Sequence, residues 1–109
     1  MTVNTFIDDR VRTLLGDEGK NTWTGPDLIK KVNQSRDQLW ADAPHAFSGA
    51  TVVTTAPTDL VGSDTLDVSN LYAQALAHRV CFIAFSEDSQ DKAEAALAAA
   101  HLALYRGEI

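Results

Sequence analysis

The apolar residues Val3, Phe6, Ile7, Val11, Leu14 and Leu15 recur at three- and four-residue steps, with Asp8, Asp9, Arg10 and Arg12 between them. That spacing puts the apolar set on one face of a helix over about 3–15, with Gly16 as its stop. A polar, turn-rich loop, "GDEGKNT" (16–22), comes next. In "WTGPDL" Thr24 with Asp27 three residues on fits a capping box, and Pro26 stands where a first helical turn tolerates it. The helix predicted from there, over about 25–43, buries Leu28, Ile29, Val32, Leu39 and Trp40 and stops before Pro44. Trp23 is expected to pack back over its first turn.

The pattern changes over 44–68. "TVVTT" (51–55) is short and β-branched, "APTD" is turn chemistry, and "TLDV" (65–68) suits a partner strand. A β-hairpin or extended arm is predicted over about 50–68. A lone hairpin is marginal in water and needs a surface, which a neighbouring subunit could supply. From about 69 to 86 the chain is apolar nearly all round: Leu71, Tyr72, Ala75, Leu76, Val80, Phe82, Ile83 and Phe85, with Asn70, Gln74 and His78 as a narrow polar strip. This is the expected central helix. Arg79 points away from the polar strip, so its charge must be paired or reach water along its stem. "SEDS" (86–89) reverses the chain into a fourth helix over about 89–106, making an antiparallel helical hairpin. The fold class is mainly α: a single four-helix bundle-like domain over 1–109, with a short β-hairpin or extended arm between helices two and three.

The fourth helix poses a problem. Seven of the sixteen residues in "DKAEAALAAAHLALYR" (91–106) are alanine, and the polar ones do not gather on one side. Ala93, Ala96, Leu97, Ala100 and Leu104 share one face, the one expected to meet the core. Roughly opposite stand Ala95, Ala98, Leu102 and Tyr105, too apolar for a purely solvated face. Apolar strips of this kind more often mark contacts than chemistry, so the second strip is predicted to be covered by another subunit. The bland alternative is that alanine serves helix propensity and the rest are ordinary exposed apolar residues.

The composition is that of an ordinary globular chain: 109 residues, 45% hydrophobic, 22% charged, net charge -6. An acidic balance repels phosphate backbones and argues against direct nucleic-acid binding. No apolar run approaches membrane-spanning length, and the first residues lack the pattern of an export signal. Cys81 stands alone, which excludes an internal disulfide or a cysteine-built metal cage; on the central helix it reads as an inert thiol. Neither His78 nor His101 has a His or carboxylate one turn away at ligand spacing, and a structural role is expected for each of His45, His78 and His101. Asp8–Asp9 and Glu87–Asp88 fall in helix N-terminal turns, where the dipole explains them. No phosphate-binding or nucleophile motif occurs. No enzyme activity, cofactor or metal site is predicted.

Several phrases together carry a resemblance: Leu14, Leu15 and Asp17; Trp23, Thr24, Asp27, Leu28 and Asn33; Pro44; and Asp91, Ala95, His101 and Tyr105. The chain resembles the small head-to-tail connector, or adaptor, proteins of tailed bacteriophages, over most of its length but with a shorter middle insertion. The resemblance implies a ring, usually dodecameric, docked beneath the portal protein and presenting its other face to a tail or nozzle protein. DNA would be only passing cargo, and the protein would belong to the virion neck after assembly in the host cytoplasm. Subunit or portal contacts are then expected at Ala95, Ala98, Leu102 and Tyr105; at Arg79, through an acidic group; at Thr51, Val52 and Val53 of the arm; and at a C-terminal tail of Arg106, Gly107, Glu108 and Ile109. A rival reading is a free cytoplasmic helical-bundle regulator with one protein partner; a distant third is a small enzyme using His101 or Asp91.

Overall fold

Thr2 opens the first helix, its hydroxyl accepting the Thr5 N–H at 3.2 Å. The computed structural model describes residues 1–16, 23–47, 57–87 and 92–109, the side chains of 92–94 excepted. Helix α1 spans residues 3–15 with a wide turn at its centre, Ile7–Val11, where the Arg12 N–H reaches back five residues to the Ile7 carbonyl. Such a turn inserts a residue into the helical repeat and rotates the turns beyond it. Arg12 shows the result: predicted on the polar face, it is buried, donating to the Trp23 carbonyl at 2.9 Å with Nε 3.5 Å from Asp8. The apolar face is the predicted one, with Val3, Phe6, Ile7, Val11 and Leu15 in the core. Gly16 ends the helix at φ 71°, the left-handed region that glycine adopts freely.

Helix α2, Gly25–Asp42, begins as predicted, with the Thr24 hydroxyl accepting the Asp27 N–H at 3.3 Å. The Asp27 carboxylate accepts from Lys31 at 2.9 Å, and Lys31 also reaches Glu87 at 2.8 Å. Burial opposes the charge of Lys31, but the two carboxylates outweigh it and hold its pKa above the usual lysine value. Trp23 meets the far end of the third helix, its ring edge-on to Phe85 at 5.9 Å. A single 3-10 turn, Pro44–Ala46, then carries the chain off the end of α2.

The predicted hairpin finds no support: among the described residues there is no strand. Instead Thr65 makes one antiparallel bridge to Thr2, and Val68 makes one to Phe47. Thr51, Val52 and Val53 lie outside the described residues. Around the predicted partner strand the backbone pairs with other parts of the chain. The Asp64 carbonyl accepts the Val3 N–H, the Leu66 N–H donates to the Met1 carbonyl and the Ser69 N–H to the Ala46 carbonyl. Side chains of α2 hold the backbone of Thr58 and Leu60. Asn33 accepts the Leu60 N–H and donates to the Leu60 carbonyl, both at 2.9 Å. Arg36 donates to the Thr58 carbonyl at 2.9 Å, to Asn33 at 2.8 Å and to both oxygens of Asp67, at 2.8 and 2.5 Å. Residues 57–68 are therefore held by the chain's own second helix and first residues, which corrects, for this part of 50–68, the expectation that a neighbouring subunit supplies the surface.

Helix α3, Asn70–Glu87, is central as predicted and packs on α1, α2 and the last helix. Leu71 departs from the prediction and is 86% exposed, while of the strip read as polar Asn70 is exposed but the other two members turn inward. Gln74 accepts from Arg10 of α1 at 3.1 Å, and His78 is buried. Helix α4, Lys92–Glu108, returns antiparallel along α3. It runs two residues past its predicted end, so Arg106, Gly107 and Glu108 form its last turn and not a free tail.

Candidate functional site

Helix α4 rests chiefly on α3, so one side is internal and the rest meets solvent. The internal side is the opposite of the predicted one. Ala98, His101 and Tyr105 are buried and Leu102 is partly buried, whereas Ala96, Leu97, Ala100 and Leu104 face out. Leu97 is 44% exposed and Leu104, two turns on, 48%. Ala95 is exposed as expected, but Ala98 and Tyr105 are withdrawn from any contact between subunits.

Polar ends decide which strip goes in. Tyr105, 1% exposed, donates its hydroxyl to Asp42 of α2 at 2.7 Å. Burial, then the Asp42 hydrogen bond and charge, push its pKa far up, so it stays a phenol. His101 meets His78 across the helical hairpin, Nδ1 to Nδ1 at 2.9 Å, with the two rings stacked 5.1 Å apart. Phe85 lies parallel to His101 at 5.7 Å, and Glu108 is 3.7 Å from the His78 Nε2. One Nδ1 must donate and the other accept, so the contact requires at least one neutral ring. Burial first, and the neighbouring His78 second, lower the His101 pKa. An all-aliphatic strip has no such partners to find; Leu97 and Leu104 lose nothing specific by facing outward.

The chemistry-bearing residues fall elsewhere. Cys81 is buried beside the Val11 carbonyl, and burial pushes its thiol up to about 12. His45 is exposed, edge-on to Tyr72 at 5.3 Å. Among the described residues no three of His, Cys, Asp and Glu come together to hold a metal ion, and no helix is long and apolar enough to cross a membrane. Asp91 lies outside the described residues. Arg79 is half-buried over the rings of Phe82 (4.8 Å to the centroid) and Tyr105 (5.6 Å), with no acidic partner among the described residues. Arg106, Gly107, Glu108 and Ile109 are all exposed at the same end of α4.

The outward strip of α4, with Arg79 and the last turn at one end, is one exposed apolar surface of the fold; Leu71 and Val61 are exposed elsewhere. That Leu97 and Leu104 face outward was missed because the sequence offered two comparable strips. The chain matches no protein-family model, no curated protein and no solved structure.

Proposed function

We propose that the protein is a structural adaptor of a phage head-to-tail junction. Copies would stand side by side as a ring beneath the portal protein, pass the genome through the channel, and join the portal to a tail or nozzle protein. The observation that carries this reading is the outward strip of α4: Leu97 and Leu104 are about half exposed on a helix supported mainly from one side. A helix placed so, with alanines between its leucines, lets a neighbouring helix approach closely. A heterologous contact of this kind, repeated around an axis, closes a ring. The residues of the resemblance that the structure describes serve this scaffold: Leu15 in the core, Thr24 at a cap, Asn33 on the crossing segment, His101 and Tyr105 in the seam between α3 and α4. The net charge of -6 suits a channel along which DNA slides without sticking.

Light scattering after size exclusion, with the portal protein of the same genome, tests the reading. The wild-type chain is expected to co-elute as a ring on the portal, and the Leu97→Glu, Leu104→Glu double variant to elute alone. A double variant that co-elutes as well as wild type sinks it.

A further inference from the structure

At the C-terminal end of α4, where it meets α2 and α3, Gln38, Asp42, Arg79, Tyr105, Arg106 and Ile109 line an open cleft of about 440 Å³. The acidic member is already engaged: Tyr105 donates to one Asp42 oxygen at 2.7 Å and Gln38 to the other at 2.9 Å. The two arginines are not. Arg79 has a buried Nε with no hydrogen-bond partner, and neither Arg79 nor Arg106 has an ion pair among the described residues. A buried donor left over in this way calls for an acceptor. The rings of Phe82 and Tyr105, at 4.8 and 5.6 Å, hold the Arg79 guanidinium at the cleft that Arg79 lines.

We infer that this cleft binds the carboxylate of an acidic side chain from another polypeptide. Arg79 supplies the planar fork that pairs with a carboxylate through two hydrogen bonds, and Arg106, exposed at the rim, adds a second positive charge. Among the side chains that line the cleft two arginines outnumber the one carboxylate, which suits a bound carboxylate; a dianion such as phosphate would also face Asp42. Ile109, exposed at the edge of the cleft, offers apolar surface for the methylenes of an Asp or Glu side chain. The inference does not depend on ring formation, because it concerns one cleft on one chain.

The test monitors the Arg79 Nε–H signal by NMR while the full chain is titrated with aspartate blocked as its N-acetyl, N-methylamide derivative, and separately with succinate and inorganic phosphate. A saturable shift with blocked aspartate is expected, several-fold weaker with either dianion. In Arg79→Gln the Arg106 Nε–H signal serves as the reporter, and its shift should no longer saturate. The Arg106→Gln variant, altered only at an exposed side chain, should bind several-fold more weakly. No saturable shift in the wild-type chain overturns the inference. So do unchanged affinity in Arg106→Gln, saturable binding that survives in Arg79→Gln, and tighter binding of succinate or phosphate, which would make the cleft a small-anion site.

Discussion

Arg36 is 1% exposed and joins α2 to residues 57–68 through Asp67, Thr58 and Asn33. Removing one partner of so buried a pair strands the other charge. Arg36→Ala or Asp67→Asn should therefore cost about 3–5 kcal/mol in urea unfolding, and Asp67→Asn is not the milder of the two, because the charge it strands, Arg36, is the fully buried one. A loss below about 1 kcal/mol would show that the segment is held by something else. The sequence contained a signal for this contact: Arg36 falls on the same stripe of α2 as Leu28, Val32 and Leu39, four residues after Val32. A charge on a core stripe is a buried pair waiting for its anion, but the anion, Asp67, is far along the chain and periodicity cannot name it. The histidine seam makes a second prediction at this scale. With the His101 pKa held below 6.5 in the fold, the unfolded chain takes up more protons as pH falls through that value. The seam's contribution is fully present above the unfolded value of 6.5 and is lost as pH falls through the lower value in the fold. A His78→Phe, His101→Phe double variant should show a shallower fall in urea midpoint over that range; an equal fall in both proteins would remove the histidines from the account. Cys81 gives a third: native protein should resist thiol reagents, and labelling at the rate of an exposed cysteine would contradict its burial.

Among the elements, α1 and α2 were legible because each has one apolar stripe, one polar face and clear end signals. The wide turn at Ile7–Val11 was not, since it leaves the apolar set in place and shows itself only by turning Arg12 inward. α4 was legible as a helix but not in its rotation. Both of its strips are small and apolar, so hydrophobicity alone could not choose between them; hydrogen-bond partners on α2 and α3 did. A hint was available, because His78 and His101 stand equally far from the middle of the turn that joins their helices. The rotation predicts contrasting mutational effects. Leu97→Glu and Leu104→Glu, each alone, should change stability by about 0.5 kcal/mol or less. Ala98→Glu, which puts a charge against α3, should cost about 2 kcal/mol or more. The reverse pattern would restore the orientation predicted from the wheel. Tyr105→Phe, which removes the Asp42 hydrogen bond, should cost about 1 kcal/mol in the same assay.

At the scale of the whole molecule, two observations bear on assembly and they pull apart. The segment over 57–68 is fixed by the chain's own α2, so it supplies no argument for a neighbour. The outer side of α4 does, with Leu97 and Leu104 about half exposed and, at its end, a cleft carrying two arginines that have no ion pair among the described residues. The candidate surface was thus legible from the sequence as a two-sided helix, while its identity required knowing which side the core had taken. The central claim is that this outer strip is the surface on which copies meet. Hydroxyl-radical footprinting of the free chain and of the chain bound to the portal measures it directly. Labelling of Leu97 and Leu104 should fall several-fold on assembly while Val61, exposed elsewhere, keeps its rate; a complex that forms with both leucines labelled as fast as in the free chain would contradict it.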